Sequence, residues 1–250
     1  PGSDTYAPIA SDPQFGTVSQ WSETEMAAVF ADRGGDPDRP GKTNPFDPLL
    51  WRAERAGEPS WDGGTSGQGR PGWHIECAAI AEHYLGGSPD ICGGGADLIF
   101  PHHEMSAMHL RALGHETPAL HLHTGMIGYE GEKMSKSLGN LVLVSQLIAD
   151  GIDPRVVRLA LLDHHWSASD LERAEHRLEA YRHAVAVDRP GSQLTALVVH
   201  DCLCDDLDTP AALWALDAWA AGNAPRLSGE DDREDLTATV DALLGIDLSV

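Results

Sequence analysis

Beyond Leu141 the apolar residues recur only at helical spacing, whereas the stretch before it alternates short apolar runs with helical ones. That switch constrains the fold most, because strands alternating with helices build a parallel sheet and a purely helical period builds a bundle. In the first half, Asp90-Ile91-Cys92 reads as a brief strand entering Gly93-Gly94-Gly95-Ala96-Asp97. Helices are expected over 25–32, opened by the capping box Ser22–Glu25, over 73–85 and over 102–113, with a second strand over 121–127. Residues 1–20 and the glycine-rich stretch 61–71 read as loops. In the second half the spacing predicts helices over 144–149, 154–163, 169–187, 193–205, 210–221 and 232–244. The sequence therefore predicts an α/β domain over 1–145 followed by a helical bundle over 146–250.

Charge narrows the partners. The 250 residues carry 17 Lys and Arg against 39 Asp and Glu, a formal net charge of −22. From Gly151 to Val250 there are 8 Arg and no Lys against 19 Asp and Glu. Nucleic-acid binding draws on basic surface, so no nucleic-acid partner is expected. No apolar run approaches the roughly 20 residues that span a bilayer, so no membrane partner is expected either. The first residues show no basic stretch leading into an apolar one, and the four cysteines form no disulfide framework. A cytoplasmic, monomeric protein follows as the expectation, and the lack of an initiator Met suggests a processed or partial chain.

Against that acidity, two of the three lysines lie in Lys133-Met134-Ser135-Lys136-Ser137, within the glycine-bounded stretch 131–139. Mobile ammonium groups beside hydroxyl donors suit a polyphosphate. Gly93-Gly94-Gly95 lets backbone approach a nucleotide closely, and Asp97 at a strand end suits ribose hydroxyls. Cys77 and His102 are candidate metal ligands, although two residues twenty-five apart make no zinc site by spacing alone. Trp73, four residues before Cys77, shares its helical face and could wall a small pocket. His103 and Glu104 crowd the turn beside His102.

Arg70-Pro-Gly-Trp-His-Ile-Glu-Cys77, Gly93-Gly-Gly-Ala-Asp-Leu-Ile-Phe-Pro-His-His-Glu104 and Lys133-Met-Ser-Lys-Ser-Leu-Gly-Asn140 occur in that order. Together they resemble the later part of the catalytic region of the cysteinyl-tRNA synthetase group, from about residue 22 to 248. Within that group the chain is most similar to the mycothiol-pathway ligases, which join cysteine to glucosaminyl-inositol. Three features favour the ligases over the synthetases: Ser106 where the synthetases place a zinc-ligating Glu, the segment Asp32-Arg-Gly-Gly-Asp-Pro37, and a short acidic helical tail.

The resemblance implies a class I aminoacyl-tRNA synthetase-like Rossmann (HUP) α/β fold with its N-terminal half missing, then a C-terminal helical bundle. It implies ATP as substrate with Mg2+, and one zinc ion held in part by Cys77 and His102, taking the substrate thiolate. Trp73 would line the cysteine pocket. Gly95, Ala96 and Asp97 would hold the ribose side of the adenylate, and Ile127 would pack near adenine. Lys133, Met134, Ser135, Lys136 and Ser137 would form the ATP loop, with Lys133 and Lys136 catalytic in stabilising departing pyrophosphate. The group's other zinc-ligating Cys and its His-x-Gly-His motif do not occur here, so a fragment lacking one zinc ligand and half the ATP clamp is expected. The alternatives are a cysteinyl-tRNA synthetase, or a non-catalytic zinc- or nucleotide-binding fragment. No residue suggests itself as general base for amide formation.

Overall fold

The structure is a computed structural model describing residues 4–129, 132–134, 139–163, 168–225 and 236–249. The chain divides into two compact units, Pro1–Met126 and Ile127–Val250. The sequence-based boundary stood at 145/146. The hairpin β7 (Gly128–Tyr129) and β8 (Glu132–Lys133) lies on the helical side of the division, its strands paired with each other.

The first unit opens with β1 (Thr5–Tyr6) and α1 (Glu23–Phe30), the latter begun by the expected capping box between Ser22 and Glu25. β1 joins β2 (Leu49–Ala53), β3 (Trp61–Asp62) and β4 (Gln68–Pro71) in an antiparallel sheet of order β1-β2-β4-β3. The stretch 61–71 is thus two strands joined by a short turn, not the expected loop. Its glycines serve close packing: a Cβ on Gly69 would strike the Arg52 carbonyl and the Trp51 indole.

Residues 4–20, expected as loop, are anchored to the core. The carboxylate of Glu104, fully buried, accepts from the Val18 and Ser19 amides at 3.1 and 2.8 Å and from the Ser19 hydroxyl at 3.0 Å. Phe100 sits at the hub of the apolar core, its ring 5.6 Å from Phe46, 5.8 Å from Phe30 and 6.4 Å from both Phe15 and Trp21.

α2 (Trp73–Leu85) matches its expected span and ends at Gly86 in a left-handed conformation, as helix C-termini often do. β5 (Ile91–Gly95) pairs in parallel with β6 (Leu120–Thr124), from Ile91 opposite Leu120 to Gly95 opposite Thr124. The triple glycine therefore lies inside the strand, and the turn follows it at Ala96–Leu98. α3 (Glu104–Ala112) starts later than expected, because His102 and His103 occupy a wide turn over Ile99–His103.

In the second unit follow α4 (Val144–Ala149), α5 (Pro154–Leu162), α6 (Ala168–Ala186), α7 (Ser192–Cys204), α8 (Thr209–Ala220) and α9 (Leu236–Leu244). Asp153 and Asp208 cap α5 and α8, each followed within two residues by a proline in the first turn. Leu159, Leu178, Leu213, Leu216 and Val240 close a core around Tyr181. The Tyr181 hydroxyl, fully buried, donates to Asp217 at 2.7 Å, and Arg177 pairs the other oxygen of that carboxylate at 2.9 Å. Tyr181→Phe is expected to cost the helical unit about 1–2 kcal/mol, read as a lower urea midpoint at unchanged slope. An unshifted midpoint would mean that this hydrogen bond contributes nothing net.

Candidate active site

The wide turn, the start of α2 and β6 bring five imidazoles together beside an indole. Trp73, half exposed, stacks on His102 with ring centroids 4.5 Å apart. His102 Nδ1 lies 2.9 Å from His74 Nδ1, and His103 Nδ1 lies 2.8 Å from His123 Nε2. The His102 and His103 rings are 5.7 Å apart, and His121 lies 6.0 Å from His103. Each close nitrogen pair needs one donor and one acceptor, so both rings of each pair can be neutral. Burial favours that state: it pushes His74 down to about 3, His103 to about 4, and lowers His102, His121 and His123.

A neutral His102 whose Nδ1 donates to His74 keeps a lone pair on Nε2, the state a metal ligand requires. The donor chemistry of His102 thus fits a metal. Cys77 lies one helical turn beyond Trp73 and His74. Burial, with Glu76 adding, raises its thiol, and Cys92 is a close electrostatic neighbour. Among the described residues no three His, Cys, Asp or Glu side chains gather as a metal cage. Ser106 donates to the His74 carbonyl at 3.4 Å and so braces the first turn of α2.

Of the remaining candidates, Gly95 ends β5 and Ala96 and Asp97 form the turn after it. A Cβ on Gly95 would lie 2.7 Å from an Asp97 carboxylate oxygen and 3.0 Å from the Met126 sulfur, and one on Gly94 would lie 3.0 Å from the His103 ring. Glycine there lets Asp97 and His103 close over the strand end. Ile127, Met134 and the backbone of Lys133 belong to the second unit. Ser135, Lys136 and Ser137 lie outside the described residues.

His74, His121 and His123 were not among the expected site residues. The signal was present: His121-x-His123 puts two imidazoles on one face of a strand, and His74 adjoins Trp73.

Neutral buried histidines carry a pH consequence. His74, His103 and His109, the last also near 4 through burial, bind protons more weakly folded than unfolded, where the ordinary value is 6.5. Below pH 6.5 the unfolded chain takes up protons the folded unit refuses, so stability falls as pH drops from 6.5 toward 4. Urea midpoints measured at pH 7, 6, 5 and 4.5 should decline throughout that range, and less steeply in His109→Leu. Flat midpoints would contradict the buried neutral rings.

Residues 2–183 match the family described as the tRNA synthetases class I (C) catalytic domain. Three curated relatives are each named L-cysteine:1D-myo-inositol 2-amino-2-deoxy-alpha-D-glucopyranoside ligase. That of Brachybacterium faecium is 52% identical over 99% of this chain and 61% of its own. That of Cellulomonas flavigena is 52% identical over 98% and 62%, and that of Streptomyces coelicolor 51% over 98% and 62%. The chain thus spans about three fifths of the length of these relatives. Among solved structures, the LeuRS of Agrobacterium radiobacter K84, in a ternary complex with tRNA and LeuAMS, overlaps it with a TM-score of 0.44 and 19% identity, covering 62% of this chain and 24% of that one. With more than half its length matched, the chain belongs to the class I (C) tRNA synthetase catalytic-domain family.

Proposed function

We propose that this chain is part of a ligase that activates cysteine with ATP as cysteinyl-adenylate, releasing pyrophosphate, and joins it to the amine of glucosaminyl-inositol with release of AMP, a step of mycothiol biosynthesis. The observation that carries this reading is the identity of about half its residues with relatives named for that ligation. The cluster of partly buried, neutral imidazoles against Trp73 supports it, because neutral nitrogen donors suit a metal that takes a thiolate. Zinc, held by Cys77 and His102 with further donors, would supply selectivity for sulfur over the serine hydroxyl. Trp73 would cover the cysteine side chain, Gly95, Ala96 and Asp97 would take the ribose, and Ile127 the adenine. The segment from Lys133 to Ser137 would bind the phosphates with Mg2+. A cytoplasmic monomer acting on small molecules, without nucleic acid, completes the reading; the acidity of the second unit supports the last point.

The test is cysteine-dependent ATP–pyrophosphate exchange, then product analysis with glucosaminyl-inositol and with cysteine tRNA. Both are run on the chain alone and with the remainder of a relative supplied as a separate polypeptide. Exchange with cysteine but not serine, and amide formation on the sugar amine but not on tRNA, is the expected result. Charging of tRNA without amide formation would replace this reading with cysteinyl-tRNA synthetase.

A further inference from the structure

We propose that the cavity between the antiparallel sheet and the start of α2 is the seat of the amine acceptor and selects a ring polyol over an anionic ligand. This rests on the ligase reading above and names the place where its second substrate binds. The cavity encloses about 300 Å3, at the small end of small-molecule sites. Trp73 and His74 are among its lining residues, so it adjoins the imidazole cluster.

Its lining holds an unusual concentration of cations for so acidic a chain. Lys42 and four arginines, Arg39, Arg52, Arg55 and Arg70, line it, along with Asp4 and Asp36. These cations are already committed. Arg39 pairs with Asp4 at 2.7 Å and Asp36 at 3.4 Å, and Arg55 reaches Asp4 at 3.4 Å. Arg52 and Arg70 share Glu58 at 3.2 and 3.0 Å. Lys42 donates to the Pro45 carbonyl and lies over the Tyr6 and Phe30 rings.

That arrangement discriminates between ligand classes. An anion would have to compete with carboxylates already seated on each guanidinium. A hydroxyl both donates and accepts, so it can bridge a guanidinium and its carboxylate with every bond satisfied. Several such pairs around one cavity match the several hydroxyls of a ring polyol. Arg52 Nε is buried with no hydrogen-bond partner among the described residues, a donor suited to one more hydroxyl oxygen. The segment around Gly34 and Gly35 lies against the end of α1, where a Cβ on Gly35 would be 2.5 Å from the Phe30 ring. That close fit sets Asp36 at the cavity wall.

The experiment is calorimetric titration of the chain with glucosaminyl-inositol, and with inorganic phosphate as the anionic probe. Binding of the polyol, weakened at least tenfold in Arg39→Met and in Asp36→Asn, supports the site. Should Arg39→Met lose its fold by circular dichroism, the more exposed Asp36→Asn decides. Absence of polyol binding, binding unchanged in the folded variants, or preferential binding of phosphate overturns it. Cysteine transfer by the unsubstituted chain, supplied with the remainder of a relative as a separate polypeptide, is scored separately. Arg39-dependent polyol binding without any transfer removes the ligase reading and keeps the cavity as a polyol site. Transfer with Arg39-independent binding keeps the ligase and removes this site.

Discussion

Glu104→Ala is expected to lower the stability of the first unit by about 3–5 kcal/mol, the usual cost of removing one member of a buried charged network. One oxygen of this fully buried carboxylate gathers three donors from Val18 and Ser19, and the other faces Arg111 at 3.7 Å. Arg111 is itself bound through Nε to both oxygens of Asp12, at 3.1 and 2.9 Å. One side chain at the start of α3 therefore ties down the opening segment at two points. Removal would leave two backbone amides without an acceptor and a guanidinium facing an apolar gap. Against a typical total of about 5–15 kcal/mol for a domain, that loss is severe. Urea denaturation followed by tryptophan fluorescence should show it, with Glu104→Gln falling between Ala and the unsubstituted chain. A Glu104→Ala midpoint close to the original would mean that the opening segment is held by its other contacts.

The same residue shows where sequence legibility ended. Glu104 looked like part of a reactive turn because it follows two histidines, and only its distant partners at positions 18 and 19 reveal a structural anchor. Local patterns served well where local physics decides: α2 and α4 fall on their expected spans, and the other described helices lie within a few residues, because caps and apolar spacing fix them. The antiparallel sheet stayed hidden because glycines at 67, 69 and 72 signal looseness in a sequence. In the folded unit Gly69 and Gly72 permit contact with the Arg52 and Leu49 carbonyls instead. Trp73 and His102, both expected at the site, stack on each other, whereas the hydrogen bond between His102 and His74 was not expected. Pairings across thirty residues leave no periodic trace. The cavity arginines were equally silent, being scattered from position 39 to 70, with only Arg52 and Arg70 set opposite each other by strand pairing.

Lys133→Ala and Lys136→Ala, each alone, are expected to slow cysteine-dependent ATP–pyrophosphate exchange by about 10²–10³-fold, the typical loss when one preorganised stabiliser of developing charge is removed. The case is electrostatic and begins in the composition. A chain of net charge −22 repels ATP in general, so attraction must be local, and these are two of its three lysines. The third, Lys42, is held by the Pro45 carbonyl and two aromatic rings, in the other compact unit. If the loop lysines act on pyrophosphate as it departs, the loss should fall on kcat, with KM for cysteine nearly unchanged. If they only help ATP dock, KM for ATP should rise while kcat holds. Lys133→Arg and Lys136→Arg retain charge but replace a compact ammonium with a planar fork, so partial rescue is expected from charge and incomplete rescue from geometry. Exchange that proceeds at full rate in both alanine variants would remove the loop from the chemistry. The resemblance at 133–137 would then be a shared sequence and no more.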